Sequence, residues 1–292
     1  MKILVTGSEG QLGRSIQKIA ANFSDHSFRF IDIQDLDLTL PEKVKSFLEK
    51  ARPDVIINCA AYTAVDKAET EMEMAMAVNA KVPEDLARLC SEMGIRLVHI
   101  STDYVFDGNN YKPYKEDDAV NPVSAYAKSK YAGEAGIFRH KVKCMIIRTS
   151  WLYSEYGKNF VKTILEKGKS SGRLSVVYDQ VGGPTYAGDL AAAILQILSG
   201  AFGTDTPEIY HYANEGAISW YDFAKAITEI AGIECTILPI ESKDFPVPAV
   251  RPCYSVFNKT RFITRFGIRI PYWRESLEHC IHNILEEKQV SR

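Results

Sequence analysis

Neither sign of charge dominates the 292-residue chain: 35 Lys and Arg stand against 37 Asp and Glu, for a net charge of −2 and a pI near 6.3. That balance excludes a broad electrostatic footprint for nucleic acid or an anionic membrane surface. Small anions are not excluded, because a handful of local donors is enough to hold them. Cysteine is sparse and unpatterned. The six at 59, 90, 144, 235, 253 and 280 form no C-x-x-C and no short framework, which predicts reduced thiols in a cytoplasmic protein. Long apolar runs are missing as well. The opening "MKILVTG" is too short for a signal core, and "LAAAILQILSGAF" is interrupted and too short to span a bilayer. No repeat or low-complexity tract occurs. His279 and His282 in "EHCIH" lack a further ligand set, so a solvated helix face is expected there and no metal. Methionines 72, 74 and 76 of "EMEMAMAV" are expected as packing filler round a helix.

What is present is a rhythm. "KILVTG", "FRFIDI", "DVIINCAA", "RLVHIST" and "KCMIIRTSW" are continuous apolar runs of strand length. Helical patterns lie between them: "QLGRSIQKIAANF", "PEKVKSFLEKA", "EMAMAVNAKVPEDLARLCSEMG" and "SAYAKSKYAGEAGIFRH". Strands apolar on both faces, spaced by helices, describe a parallel sheet covered on both sides. Right-handed crossovers then give a doubly wound α/β fold. A hydrophobic share of 46% supplies the core, and the length fits one large α/β domain or two. After Tyr153 the rhythm loosens, and prolines at 239, 246, 248 and 252 break the chain into loops. The expected division is residues 1–155 with about 184–212 in the doubly wound body, and 156–183 with 213–292 in a smaller α/β unit over the sheet's carboxyl edge.

The first strand ends in "TGSEGQLG", which carries Gly7, Gly10 and Gly13 and opens the first helix. Glycines there let the backbone turn tightly against a pyrophosphate, while the helix N-terminus offers free N–H groups. Asp32, at the end of "FIDI", lies nineteen residues after Gly13. An acid there accepts bonds from the adenosine ribose and repels a 2′-phosphate, which favours NAD over NADP; Asp35 and Asp37 are nearby acids of the same kind.

"HISTDYVFDG" places Ser101, Thr102 and Asp103 at the carboxyl edge of the fourth strand, where doubly wound folds bind ligands. Tyr126 follows twenty-four residues after Thr102, and Lys130 lies one helical turn further, on the same face. An ammonium near a phenol favours the phenolate, so Lys130 is expected to lower the pKa of Tyr126 and to grip the nicotinamide ribose. Hydroxyl, phenol and lysine together suit hydride transfer to a carbonyl, with Tyr126 giving a proton to oxygen.

These segments, with "NCAAYTAVDKAE", "RTSWLY", "NFVKT", "DQVGGPT" and "RPCYSVFN", resemble the extended short-chain dehydrogenase/reductase superfamily and, within it, the dTDP-4-dehydrorhamnose reductase family. The resemblance covers nearly the whole chain. It implies a Rossmann domain joined to a smaller, mostly C-terminal sugar-nucleotide domain. It implies that Gly7, Gly10, Gln11, Leu12 and Gly13 carry the dinucleotide, with Asp32, Asp37 and Leu38 near the adenosine. Ala60, Ala61, Tyr62 and Thr63 would line the cofactor, and Asn79 would brace the backbone beside it. Thr102, Tyr126 and Lys130 match the catalytic triad; Thr102, Asp103 and Trp151 would touch the sugar. Arg251 suits a diphosphate through its paired N–H groups, Gln180 either ligand or a turn, and Asn159 and Phe160 the nucleotide. The implied reaction is reduction of the C4 ketone of dTDP-4-dehydro-L-rhamnose with NADH or NADPH, by a monomer or homodimer. An NDP-sugar epimerase or dehydratase that returns its hydride, with Asp103 as the extra acid or base, is a second possibility. A non-catalytic NAD(P)-binding regulatory subunit is a third.

Overall fold

All five apolar runs become strands in the computed structural model, which describes residues 1–200, 202 and 205–290 without the side chains of 287–290. They are β1 (Lys2–Thr6), β2 (Ser27–Ile31), β3 (Val55–Asn58), β4 (Arg96–Thr102) and β5 (Cys144–Thr149). Between them run α1 (Gln11–Ile19), α2 (Pro41–Ala51), α3 (Met72–Met76), α4 (Val82–Met93) and α5 (Ala125–Phe138). The second half adds short strands β6 (Leu152–Tyr153), β7 (Arg173–Val177), β8 (Val181–Gly182) and β9 (Thr185–Tyr186), then β10 (Glu208–Tyr212), β11 (Ile218–Ser219) and β12 (Thr236–Ile240). Its helices are α6 (Phe160–Ser171), α7 (Ala187–Ser199), α8 (Trp220–Ile230), α9 (Thr260–Phe266) and α10 (Trp273–Val290).

The main sheet has the order β10-β5-β4-β3-β1-β2, and every neighbouring pair is parallel. Every residue of β3 and of β5 is buried, as a sheet covered on both faces requires. This is the doubly wound, Rossmann-like α/β architecture that the alternation predicts. The strand order reverses between β1 and β3, so the crevice beyond their carboxyl ends is where such a fold receives a ligand. One face packs against α1 and α7 and also takes Phe262, Ile268 and Ile270 from in and after α9. The other packs against α2, α4 and α5. A separate apolar cluster joins α6, α8 and α10 through Val161, Ile164, Phe223, Ile227, Leu277 and Ile281.

Helix α5 starts at a cap: Ser124 accepts from Ala127 N at 3.2 Å, and Glu69 accepts from Ala125 N at 2.9 Å. Its buried face is built of Ala127, Ser129, Lys130, Gly133, Glu134 and Gly136, small residues where close approach is needed. Opposite lies a π-helical turn, Ala77–Lys81, joining α3 to α4. Pro83 has no N–H to return to the Asn79 carbonyl in the α-helical pattern, which accounts for a wider turn at that point. Methionines 72 and 74 are exposed, and Ala75 is the buried residue of α3. The expectation of methionine filler is thus corrected for Met72 and Met74, while Met76 is half-buried; α3 is a five-residue segment that turns its small residue inward.

A Cβ added to Gly133 would overlap the Asn79 carbonyl oxygen, and backbone on both sides has nowhere to go. Gly133→Ala is expected to cost about 1–3 kcal/mol of stability, as overpacking does, measured by urea unfolding.

Candidate active site

The turn between β1 and α1 is closed on itself. Gly7 has φ +62°, and a Cβ there would sit 2.6 Å from the Ala60 nitrogen; at Gly13 one would sit 2.5 Å from the Gly7 carbonyl oxygen. Gly10 N donates to that carbonyl at 3.1 Å, and no side chain caps α1. The N–H groups of its first turn are therefore left for a ligand. Gly7, Gly10, Gln11 and Leu12 line a cavity of about 910 Å³ along the sheet's carboxyl edge, while Gly13 packs beneath the turn. Asp32, Asp37 and Leu38 form one end of it. The Asp32 carboxylate accepts from Glu9 N and Ile33 N, both at 2.8 Å, and so also braces the glycine turn. Asp37 accepts from Thr39 Oγ1 and N, and these bonds hold its carboxyl below the usual range.

Ala60, Ala61, Tyr62 and Thr63 form the next stretch of wall. Asn79, fully buried, clamps it: Oδ1 accepts from Tyr62 N and Nδ2 donates to Tyr62 O, both at 2.9 Å. The same Nδ2 donates to Ser129 Oγ at 3.0 Å, tying the wall to α5.

Thr102, Asp103, Tyr126 and Lys130 all reach the same cavity, as their placement on β4 and α5 leads one to expect. Thr102 Oγ1 donates to Asp103 Oδ1 at 3.1 Å. Asp103 is 2% exposed and its Oδ2 has no partner. Burial pushes its carboxyl up to about 6, against hydrogen bonds from Ser255 and Thr102. Tyr104 packs edge-on against Tyr126, with ring centroids 5.6 Å apart.

The expected acidification of Tyr126 by Lys130 is corrected here. Burial first, then the neighbouring Asp103, pushes the phenol up to about 12, and a hydrogen bond with Thr102 opposes them. Lys130 Nζ is turned to the Ile100 carbonyl at 2.7 Å. Desolvation lowers its own value to about 8, with Glu134 and Cys59 opposing. The i, i+4 spacing puts both groups on one face, but it does not aim the amine at the phenol.

Trp151 lines the cavity with φ +47°, a left-handed conformation costly for a bulky residue. Its ring stacks on Trp220 at 3.6 Å between centroids, and Phe160 tilts against Trp220 at 4.6 Å. Asn159 caps α6 by accepting from Lys162 N at 3.1 Å, and its Nδ2 donates to Gln11 Oε1 at 2.9 Å. Gln180 and Arg251 do not line the cavity. Gln180 Nε2 donates to Ser242 Oγ at 2.9 Å, supporting a turn. Arg251 pairs with Asp66 at 3.0 Å, although its charge reaches Tyr104 of the cavity wall. Sequence reasoning missed Tyr104, Trp220 and Ser255, as well as the buried Ser101–Glu134–Arg148 cluster under α5. Tyr104, Ser101, Arg148, Glu134 and Ser255 all lie in the quoted segments, where nothing local told them apart from their neighbours; Trp220 lies outside them.

The glycine cradle, the uncapped helix and the cationic lysine fit a dinucleotide along this cavity. Comparison with known proteins agrees. The family model described as the RmlD substrate binding domain matches residues 1–286. The chain belongs to that family. A relative named dTDP-4-dehydrorhamnose reductase, from Aggregatibacter actinomycetemcomitans, is 40% identical over 95% of this chain and 97% of its own. A solved dTDP-4-dehydrorhamnose reductase from Clostridium acetobutylicum is 42% identical with a TM-score of 0.92, covering 98% of this chain and all of that one. Another, from Bacillus anthracis in complex with NADP, is 38% identical with a TM-score of 0.91, covering 97% and 99%. Membership thus spans both the glycine turn and the C-terminal cluster of this RmlD-type chain.

The raised Asp103 carboxyl has a consequence for stability. The folded state binds that proton more tightly than the unfolded chain, so stability falls as pH rises from about 4 through about 6. Asp103→Asn is expected to gain about 3 kcal/mol at pH 7 and nothing at pH 3, measured by urea unfolding at both.

Proposed function

We propose that this protein reduces the C4 ketone of dTDP-4-dehydro-L-rhamnose with NADH or NADPH, giving dTDP-L-rhamnose. The observation that carries the proposal is the meeting, in one cavity, of the glycine turn with Thr102, Tyr126 and Lys130. Residues 1–155 with about 184–212 hold the dinucleotide, and 156–183 with 213–292 take the sugar nucleotide; the separate apolar cluster of α6, α8 and α10 supports the division, while Phe262, Ile268 and Ile270 of the second segment pack on the main sheet. Gly7, Gly10, Gln11, Leu12 and Gly13 receive the pyrophosphate, Asp32, Asp37 and Leu38 the adenosine end, and Ala60 to Thr63 flank the rest. A bound NAD(P)H supplies the hydride. Tyr126 keeps its proton at neutral pH, because burial disfavours the phenolate, and gives it up when negative charge gathers on the C4 oxygen. Thr102 shares a hydrogen bond with that phenol and orients the ketone. Lys130 is cationic below about pH 8 and holds the nicotinamide ribose. Asp103 and Trp151 face the sugar, and Arg251 takes the diphosphate on leaving Asp66. The protein acts in the cytoplasm as a monomer or homodimer; no disulfide joins its cysteines among the described residues, and no described helix is long and apolar enough to cross a membrane.

An epimerase or dehydratase returns its hydride and consumes no cofactor. Oxidation of NADH or NADPH is therefore followed against a panel of keto-sugar nucleotides. One equivalent per dTDP-4-dehydro-L-rhamnose is expected, and turnover without oxidation would remove the proposal. Tyr126→Phe is expected to lose roughly 10²-fold in kcat, the usual contribution of a general acid. Activity near that of the unaltered enzyme would clear Tyr126 of the role.

A further inference from the structure

Lys130 and Glu134 stand one turn apart on α5, a spacing at which lysine and glutamate ordinarily attract one another. No ion pair joins them. Both oxygens of Glu134 are held from elsewhere. Arg148 Nε donates to Oε1 at 3.0 Å and Nη2 to Oε2 at 2.7 Å, while Ser101 Oγ donates to Oε1 at 2.5 Å. Arg148 is fixed in turn, with Nη1 donating to the Glu116 carbonyl at 3.4 Å and the guanidinium 5.2 Å over the Phe106 ring. Lys130 Nζ donates instead to the Ile100 carbonyl at 2.7 Å. All three charged side chains are buried, at 2% exposure or less.

The other titratable groups facing Lys130 offer it no anion. Cys59, beyond β3, is pushed up to about 12 by burial, and His99 on β4 is driven well below its usual value. Tyr126, on α5 itself, keeps its proton. Glu134 is therefore the carboxylate that would capture the amine if it were unclaimed, and in a poorly screened interior that capture is strong.

We propose that Arg148 is a positioning residue: by occupying both oxygens of Glu134, it keeps Lys130 from folding back onto that carboxylate and leaves the amine facing the cofactor cavity. The geometry serves a catalytic end with a pair that touches neither substrate nor cofactor. A bidentate guanidinium suits this task better than an ammonium, because its two N–H groups cover both carboxylate oxygens together.

The inference rests on Lys130 holding the cofactor, as proposed above, and the test separates the two. NADPH binding is titrated by fluorescence, and kcat is measured with dTDP-4-dehydro-L-rhamnose. Arg148→Met is expected to bind NADPH about tenfold or more weakly, because the freed Glu134 draws the amine away. Arg148→Met with Glu134→Gln removes the competitor, and is expected to return affinity and kcat to within about threefold of wild type. A folded Arg148→Met protein that binds as wild type overturns the proposal, and so does a double variant no better than the single one. If Arg148→Met fails to fold, Arg148→Lys decides. It keeps the charge but covers one oxygen at a time; affinity lowered about threefold or more supports the proposal, and unchanged affinity overturns it. Lys130→Met is the control. Unchanged NADPH binding there removes both the role of Lys130 and the inference. A loss there with none in Arg148→Met removes the inference alone.

Discussion

Where Gly133 of α5 meets the Asn79 carbonyl, two helices approach so closely that not even a methyl group fits between them. Asn79 works on both sides of that contact. Its backbone receives α5, its amide donates to Ser129 of α5, and its side chain holds both polar backbone groups of Tyr62. The cavity wall after β3, the π-helical turn and the helix carrying Tyr126 and Lys130 are thus locked at one residue. Displacing α5 would break the buried Asn79–Ser129 hydrogen bond and leave an unsatisfied group behind.

Burial does most of the electrostatic work. It raises the Tyr126 phenol to about 12 and the Asp103 carboxyl to about 6, and it lowers the Lys130 amine to about 8. Each shift favours the uncharged form. The result is a phenol that stays protonated at neutral pH. The charge that remains lies below the cavity, where Glu134 and Arg148 cancel one another. Such a pair gives little net stability once desolvation is counted, so its value here lies in orientation.

The sheet was legible because its strands are apolar on both faces and alternate with helices, as a parallel sheet covered on both sides requires. The glycine turn was legible because it links the first strand to the first helix, and Thr102, Tyr126 and Lys130 because they follow one another from the end of β4 into α5. Which face of α5 is buried was not legible, because that face is mostly Ala, Ser and Gly with Lys130 and Glu134, and amphipathic patterning is a signal of large apolar residues. The aim of Lys130 was not legible at all. It depends on the Ile100 carbonyl, thirty residues away, and on Arg148, fourteen beyond Glu134. Gln180 and Arg251 failed to reach the cavity for a similar reason. Their partners, Ser242 and Asp66, lie 62 and 185 positions away, and nothing local foretells those contacts.

The left-handed Trp151 shows how the two apolar clusters are coupled. A bulky residue at φ +47° costs on the order of 1–3 kcal/mol, so the surroundings must hold it there. Its ring is stacked on Trp220, at the first turn of α8, and is overlain by Gly182, where a Cβ would sit 2.7 Å from the indole. Trp220 in turn leans on Phe160 at the first turn of α6. The α6–α8 cluster therefore supplies the restraint, while β5 supplies the strand end from which Trp151 projects. A cavity wall fixed from both sides in this way tracks any shift between them. The Trp151 end of the cavity is accordingly set by the packing of the smaller cluster, while the Tyr126 end is set by the seat of α5 on the sheet.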